Sequence, residues 1–224
     1  MSKPTLYYHP LSPPSRAPCL IAKEIGLDIN LEVIDFLNSE HTSEKFTKIN
    51  PAQTIPAMVD SDFIVCDSHA ICIYLIEKYA KDDYLYPKND LKLRTVINDR
   101  LFFDASFLFP RGLNVMLPVV MQGQAEVPEE KVQQIHRGYR IVENYLSTSK
   151  WIASNDHMTL ADLAIFAWME SFTQVFTIEN YPKLTTWLKE MRKLPYYEEA
   201  NKKGADLHIQ IFRSALEKNK KAKK

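Results

Sequence analysis

The chain has few glycines, few cysteines and no long apolar run, and each shortage excludes a class of protein. Its five glycines are isolated, whereas the GxGxxG and GxxxxGK[ST] loops that bind nucleotide phosphates need several close together. Its three cysteines include no CxxC pair, which argues against a disulfide framework and is typical of a reducing compartment. We find neither a signal-peptide pattern nor a run of about 18 apolar residues, and we therefore expect a cytoplasmic location.

The charges cancel, since 28 Lys and Arg side chains face 28 Asp and Glu side chains. A chain without a net field has no general attraction to nucleic acid or to an anionic membrane, so neither is expected as a partner. The lysine-rich residues 218–224 are interpreted as a solvated, frayed end. With 46% hydrophobic and 25% charged residues, the composition is that of a globular chain with a sizeable core.

Short β-prone runs alternate with helical patterns in the first third of the chain. The order β-α-β-α-β-β-α predicts a parallel sheet extended by an antiparallel hairpin. The strands are expected at residues 4–8, 31–34, 57–59 and 63–66, and the helices at residues 15–25, 43–48 and 68–79. Because a polar segment follows, we place a first α/β domain at residues 1–82.

From Leu91 onward helical periodicity dominates, which predicts an all-α second domain at residues 90–224. Thr159 and Asp162 form a capping box, in which each side chain accepts a hydrogen bond from the backbone amide of the other residue. We interpret Asp162 as structural. Three apolar stripes at helical spacing are Val132, Ile135, Tyr139, Val142 and Leu146; Leu184, Trp187, Leu188 and Met191; and Leu207, Ile211, Ala215 and Leu216.

Ser12 is the first of three candidate functional positions in the first domain. It precedes Pro13 and Pro14 at a predicted helix start, where the structural interpretation is an N-cap. The functional interpretation is that its hydroxyl donates a hydrogen bond where the helix dipole favours an anion. Lowering the pKa of a bound thiol by about two units takes roughly 2.7 kcal/mol, which one hydrogen bond plus the dipole can supply.

The second position is the segment 50–57, where Pro56 directly precedes a predicted strand. A cis peptide bond there would leave the amide and carbonyl of Ile55 pointing outward. Such free backbone groups can pair with an extended peptide, as in strand addition. The alternative is a simple loop proline.

The third position is Asp67 and Ser68 at a strand-to-helix junction. Ser68 is a natural N-cap whose amide would face a carboxylate, and Asp67 could hold an ammonium group, so the pair suits an amino-acid head group. Cys66, His69 and Cys72 have C-x2-H-x2-C spacing. Strand and helix divide these three residues, however, and no fourth ligand is evident, so no metal is expected.

Phenylalanine and methionine are concentrated in residues 102–121. Most of this stretch is interpreted as helix core. Some of its side chains could instead line an apolar ligand pocket, because Met and Phe adapt to varied shapes.

Taken together, these motifs resemble those of the glutathione transferases. The matching segments are LSPPSR (11–16), NPAQTIP (50–56), DSHAICIYL (67–75) and TLADLAIF (159–166), and YPKND (86–90) with LPYYEEAN (194–201) is similar to the insect epsilon class. The resemblance extends over essentially the whole chain. It implies a thioredoxin-like N-terminal domain that binds glutathione and a helical domain that supplies most of an apolar substrate site.

The resemblance also implies roles for individual residues. Ser12 takes the catalytic position, where its hydroxyl stabilises the glutathione thiolate. The implied glutathione-binding residues are His41, Gln53, Thr54, Ile55, Pro56, Asp67, Ser68, His69 and Arg111, and the implied hydrophobic substrate site comprises Leu11, Leu113, Met116, Leu117 and Leu207. Glutathione is thus the expected co-substrate, with no metal.

Several positions depart from the family pattern. Gln53 stands where the epsilon class usually carries His, and Asp67 replaces the commoner Glu. Ser15 stands where a Cys is frequent. Because Ser12 is not Cys either, the thiol-disulfide chemistry of glutaredoxins is not expected.

The implied activity is conjugation of glutathione to small hydrophobic electrophiles by a cytoplasmic homodimer, in detoxification. Dehydrochlorination of organochlorine insecticides, and hence insecticide resistance, and peroxide reduction are further activities of the class. One rival is a non-catalytic carrier of hydrophobic ligands such as steroids, and another is a narrow-substrate glutathione-dependent isomerase. Ser12 favours catalysis over the carrier, whereas the isomerase would differ only in the helical pocket.

Overall fold

The computed structural model describes residues 3–223, and its first part is built around a four-stranded sheet. Three helices accompany the strands in the predicted order. The elements are β1 (Thr5–Tyr8), α1 (Pro13–Glu24), β2 (Asn30–Val33), α2 (Glu44–Thr47), β3 (Ala57–Asp60), β4 (Phe63–Cys66) and α3 (Ser68–Tyr79), with 3₁₀ turns at Phe36–Asn38 and Glu40–Thr42.

The sheet has the strand order β2-β1-β3-β4. Strands β1 and β2 run parallel, whereas β3 and β4 form an antiparallel hairpin that joins β1 through β3. Leu6 and Met58 are opposite each other in the β1–β3 register, and both are fully buried with Ile71 and Leu75 of α3. The predicted parallel pair with an added hairpin is therefore confirmed.

The rest of the described chain is helical. No helix or strand lies between α3 and the first of these helices, α4. The elements are α4 (Leu91–Phe103), a π-helical segment (Asp104–Leu108), α5 (Phe109–Met121), α6 (Glu129–Thr148), α7 (Leu160–Phe172), α8 (Pro182–Met191), a second π-helical segment (Glu198–Lys202) and α9 (Lys203–Ala222). An α/β part followed by an all-α part is the architecture that the sequence predicts.

Helix α7 is the centre of the helical part, because every one of its residues is buried. Its N-terminus carries the predicted capping box at Thr159 and Asp162. The carboxylate of Asp162 accepts from both the amide and the hydroxyl of Thr159, at 2.8 and 2.9 Å. It also accepts from the Ile152 amide at 2.8 Å and from the Trp187 indole at 2.9 Å. This one buried carboxylate thus connects the start of α7 to the preceding loop and to α8.

Two of the three predicted apolar stripes face the core, and the third does so only in part. The stripes on α6 and α8 are buried or packed against the core. On α9, Ala215 and Leu216 pack against the core, whereas Leu207 is 40% exposed and Ile211 lines a cleft, so the predicted stripe is confirmed only in its second half. The reason is that α9 turns part of its apolar surface toward a cleft rather than toward the core. The lysine-rich end is mostly exposed, as expected, but it is helical and not frayed, because α9 continues as far as Ala222.

Arg16 joins the two parts of the molecule. Its side chain on α1 is 2% exposed, and burial lowers its pKa to about 9, so it stays charged at neutral pH. Its guanidinium donates five hydrogen bonds of 2.6–3.2 Å, to Asn201 Oδ1, Ala167 O, Ser171 Oγ, Pro10 O and Leu11 O. The last two acceptors, Pro10 O and Leu11 O, lie in the turn between β1 and α1. Because this turn leads directly to Ser12, the Arg16 contact holds the backbone before Ser12 in place.

Gly204 allows α9 to pack closely against the turn that Arg16 holds. Gly204, at the start of α9, lies so close to the turn that an added Cβ would be 2.3 Å from Pro10 O and 2.7 Å from Arg16 Cδ. Real Cβ atoms do not approach other atoms so closely. Residue 204 must therefore lack a side chain for α9 to pack against the turn.

Within residues 3–223, the helices are all too short or too polar to cross a bilayer.

Candidate functional site

A cleft of about 690 Å³ opens between the α/β part and the helices. One wall is formed by the turn before α1, the loop before β3 and the start of α3. The opposite wall is formed by α5, α7 and α9. The lining includes thirteen of the predicted site residues: Leu11, Ser12, His41, Gln53, Thr54, Ile55, Pro56, Asp67, Ser68, His69, Leu113, Met116 and Leu117.

Ser12 is the N-cap residue of α1, with extended backbone angles. Its backbone carbonyl accepts from the amides of Ser15 and Arg16, at 3.0 and 3.2 Å. Its hydroxyl makes no capping hydrogen bond. Pro13 and Pro14 follow it and supply no amide protons. The hydroxyl therefore remains available to a ligand in the cleft, at the helix end that favours negative charge.

The loop before β3 presents unpaired backbone to the cleft. Ile55 and Pro56 are joined by a cis peptide bond, which is the first of the two interpretations given for this proline. The Ile55 amide and carbonyl have no hydrogen-bond partner within residues 3–223. The side chain of Asn50 holds the loop in place by donating to Thr54 O at 2.7 Å. An extended ligand could thus pair with Ile55 as it would with a strand edge.

The start of α3 supplies the charged part of the same wall. Asp67, in the left-handed region with φ of 79°, is the N-cap, and Ser68 is the first helical residue. The prediction of Ser68 as N-cap was therefore wrong. The Asp67 Oδ1 atom accepts from the amides of His69 and Ala70, at 2.9 and 3.1 Å. Its other carboxylate oxygen makes no such bond, and Ser68 is 8% exposed beside it.

Asp104 is a cleft residue that the sequence did not single out. It begins the π-helical segment after α4 and is 6% exposed, and its Oδ2 atom accepts from His69 Nε2 at 2.9 Å. Its second oxygen, Oδ1, is buried without a partner. Segments of π-helix are frequent at functional sites. Only the three-dimensional contact with His69 reveals this residue, since its position in the Phe-rich stretch is typical of helix core.

The His69–Asp104 pair should give the protein a pH-dependent stability. Burial opposes the charge, but the hydrogen bond to Asp104, its charge and that of Asp67 together raise the pKa of His69. A histidine whose folded-state pKa is raised stabilises the fold below its unfolded value of about 6.5, and this contribution is lost as pH rises through the folded value.

We therefore expect the stability advantage of the wild type over His69→Gln to shrink as pH increases from about 5.5 to about 8.5. The measurement is the free energy of unfolding of both proteins in urea at several pH values. An advantage that is constant or grows with pH would contradict the ion pair.

The helical wall is almost entirely apolar. The residues that α5, α7 and α9 supply to it are Phe109, Pro110, Leu113, Met116, Leu117, Val120, Met121, Ala164, Trp168, Phe172, His208 and Ile211. The Phe- and Met-rich stretch thus lines the cleft in part, which is the second of the two uses considered for it. The contributions of α7 and α9 follow from tertiary packing and left no local pattern in the sequence.

Two predicted site residues do not line the cleft. Arg111 is not among the lining residues, and its guanidinium donates to Phe107 O at 2.7 Å and lies 3.2 Å from the centre of the Phe107 ring. Leu207 is 40% exposed, and His208 and Ile211 take the α9 positions on the cleft instead.

The three residues with metal-like spacing do not converge. Cys66 lies near Ile49 O, His69 pairs with Asp104, and Cys72 is fully buried. In the described part of the chain, no group of three His, Cys, Asp or Glu side chains is placed to hold a metal ion.

The two walls suit two different ligands. The wall from the α/β part offers a strand-like backbone edge, a carboxylate and a helix N-terminus, which together fit an extended peptide with an amino-acid head group. The helical wall fits an apolar molecule. Ser12 lies at the end of the first wall, where a hydroxyl donor could stabilise an anion on the peptide.

Comparison with known families gives matches in both parts of the chain. Residues 6–83 match the family described as "Glutathione S-transferase, N-terminal domain". Residues 100–195 match the family described as "Glutathione S-transferase, C-terminal domain".

Individual relatives match over nearly the full length. "Glutathione S-transferase 1" of Manduca sexta is 37% identical over 216 residues, which are 95% of this chain and 98% of the relative. An epsilon-class glutathione S-transferase structure from the housefly, Musca domestica, has a TM-score of 0.92 at 38% identity, covering 95% of this chain and 98% of that one. A glutathione transferase homologue from Drosophila mojavensis, with bound glutathione, has a TM-score of 0.92 at 34% identity, covering 96% and 98%.

Proposed function

Since the chain belongs to the glutathione S-transferase family, we propose that it conjugates reduced glutathione to small hydrophobic electrophiles through a thiolate stabilised by Ser12. The observation that carries this proposal is the Ser12 hydroxyl, which makes no capping hydrogen bond and lies at a helix N-terminus. The cleft around it has one wall that suits a peptide and one apolar wall.

Glutathione would lie along the α/β wall. Its cysteinyl backbone would pair with the free amide and carbonyl of Ile55, beside the cis-proline. Its γ-glutamyl ammonium would meet Asp67, and its carboxylate the buried N-terminal residue of α3, Ser68. This fits the geometry, because the Asp67 Oδ2 atom and the Ile55 backbone groups have no partner among the described residues.

The glycine end of glutathione would lie toward His41, Gln53 and Thr54, which line the same wall. The Nδ1 atom of His41 is buried without a partner, so a carboxylate there would provide one. Gln53 donates through Nε2 to Thr47 Oγ1 at 3.2 Å, and the second proton of the same side-chain amide could be donated to a glycine carboxylate. We do not include Arg111 in the binding site for the glycine end, because its guanidinium donates to Phe107 O.

The main contribution of the protein to the reaction is then to stabilise the negative charge of the thiolate. The Ser12 hydroxyl donates to the thiolate sulfur, and the N-terminus of α1 adds its dipole. The thiolate attacks an electrophilic carbon held against the helical wall, and either a halide leaves or a double bond accepts the electron pair. Because the helical wall is apolar, it binds hydrophobic electrophiles and keeps water from the sulfur.

We further propose that the enzyme is a cytoplasmic homodimer of the epsilon class that acts in detoxification. The segments 86–90 and 194–201 support the class. Dehydrochlorination of organochlorine insecticides and peroxide reduction are reactions open to the same thiolate.

The test is conjugation of glutathione to 1-chloro-2,4-dinitrobenzene by the purified protein, with glutathione affinity measured by calorimetry. Turnover together with binding supports the proposal. Binding without turnover would favour a carrier of hydrophobic ligands or a narrow-substrate isomerase, and a lack of glutathione binding would overturn the proposal.

A further inference from the structure

His208 introduces hydrogen-bonding capacity into the apolar wall of the cleft. Among the residues that α5, α7 and α9 supply to the cleft in the described chain, His208 alone is titratable. Its ring contacts that of Phe172 edge-on, with the ring centres 5.9 Å apart, and Ile211 lines the cleft one turn further along α9.

Neither ring nitrogen of His208 has a hydrogen-bond partner within residues 3–223, and Nδ1 is buried. A buried polar group without a partner destabilises the fold, so its presence calls for a functional explanation. The Nε2 atom is not buried, and because His208 lines the cleft, a polar atom of a bound molecule is the natural partner of this nitrogen.

The charge state of His208 determines which kind of ligand atom its ring can hydrogen-bond. Burial, followed by the charge of Arg16, lowers the pKa of His208 to about 3. The ring is therefore neutral at the pH at which a thiolate attacks, with one N–H donor and one lone pair. A neutral imidazole N–H can polarise a carbonyl oxygen and stabilise the negative charge that develops there.

We propose that His208 determines the specificity of the electrophile site by donating a hydrogen bond to the oxygen of electrophiles whose reacting carbon is conjugated to a carbonyl group. This inference rests on the proposed function, because the glutathione thiolate is the nucleophile. The buried Arg16 guanidinium adds positive potential at His208.

The step is an addition. The sulfur–carbon bond forms at the β carbon while the π bond of the alkene breaks, and the electron pair moves onto the carbonyl oxygen to give an enolate. The His208 N–H stabilises that oxygen. The α carbon then takes a proton from water, and no group leaves.

Displacement of a halide differs from this addition in where the negative charge develops. Its negative charge departs on the halide, and no oxygen acquires charge. His208 should therefore accelerate the addition more than the displacement, so that the ratio of the two rates reports its role independently of glutathione binding and Ser12.

The experiment measures kcat/KM with glutathione for trans-2-nonenal, a conjugated aldehyde, and for benzyl chloride, which has no oxygen. In His208→Phe we expect the nonenal-to-chloride ratio to fall by about 10- to 100-fold, the effect of losing a hydrogen bond to a charged oxygen. In His208→Gln, whose amide still donates, we expect the ratio to stay within about threefold of the wild type. Gln210→Phe is the matched control, because it places the same ring at an exposed position of α9 and should leave the ratio as it is.

Three outcomes would overturn the inference. If the ratio is unchanged in His208→Phe while the wild type uses both electrophiles, His208 has no such role and the proposed function survives. If His208→Gln loses the ratio as fully as His208→Phe, the effect is one of shape and not of donation. If the wild type does not transfer glutathione to nonenal, this inference fails, and the proposed function fails with it only if 1-chloro-2,4-dinitrobenzene is not turned over either.

Discussion

Replacing Ser12 by alanine should lower turnover with glutathione at neutral pH by about 10- to 100-fold, the effect of losing a hydrogen bond to a charged group worth about 1.5–3 kcal/mol. The affinity for glutathione should change by no more than a few-fold, because Ile55, Asp67 and Ser68 hold the rest of the peptide. The dependence of kcat/KM on pH should also move to higher pH by about one to two units, as the bound thiol loses its donor.

The structure offers a matched control three residues away. Ser15, in the first turn of α1, is fully buried, and its hydroxyl has no partner. Ser15→Ala removes the same group from the same helix, so it should leave turnover at the wild-type level and stability unchanged or slightly higher. Turnover in Ser12→Ala that equals turnover in Ser15→Ala would remove Ser12 from the mechanism.

The second large effect concerns the fold and not the chemistry. Asp162→Ala leaves four buried donors of Thr159, Ile152 and Trp187 without an acceptor. We expect the free energy of unfolding to fall by about 3–5 kcal/mol. The melting temperature should fall by about 2–4 °C for each kcal/mol.

The kinetics of the folded fraction should remain those of the wild type, since Asp162 does not line the cleft. Asp156→Ala is the control, because Asp156 is an exposed aspartate a few residues before the same helix, and its removal should change stability by about 0.5 kcal/mol or less. A selective loss of turnover at normal stability in Asp162→Ala would contradict the structural role.

Local patterns predicted most of the elements correctly. Helix α3 begins at Ser68 and ends at Tyr79, as the sequence indicates, because a turn-forming polar pair and an apolar run define it within a few residues. The cap itself was misassigned, since Asp67 and Ser68 are both good N-cap residues and only the backbone angle of Asp67 distinguishes them.

The cleft was predictable on its α/β wall and along α5, but not where α7 and α9 line it. On the α/β wall the candidate residues lie in short motifs whose chemistry can be read from neighbouring positions. On the helical wall, Trp168 and His208 reach the cleft through the packing of α7 and α9, and no spacing in the sequence encodes that proximity. The same packing explains the error on α9, whose apolar residues are divided between the core and the cleft.

The Arg16 contact has a consequence for the modularity of this protein. A fragment that ended at the linker would keep two of the five acceptors of the guanidinium, the carbonyls of Pro10 and Leu11, and would lose Ala167, Ser171 and Asn201. The Arg16 guanidinium would then lie on an apolar helix face without most of its acceptors. The turn that carries Ser12 would no longer be tied to the helical part. The first domain is therefore not an exchangeable module: a gene fusion that transferred it alone would have to bring a new partner for Arg16.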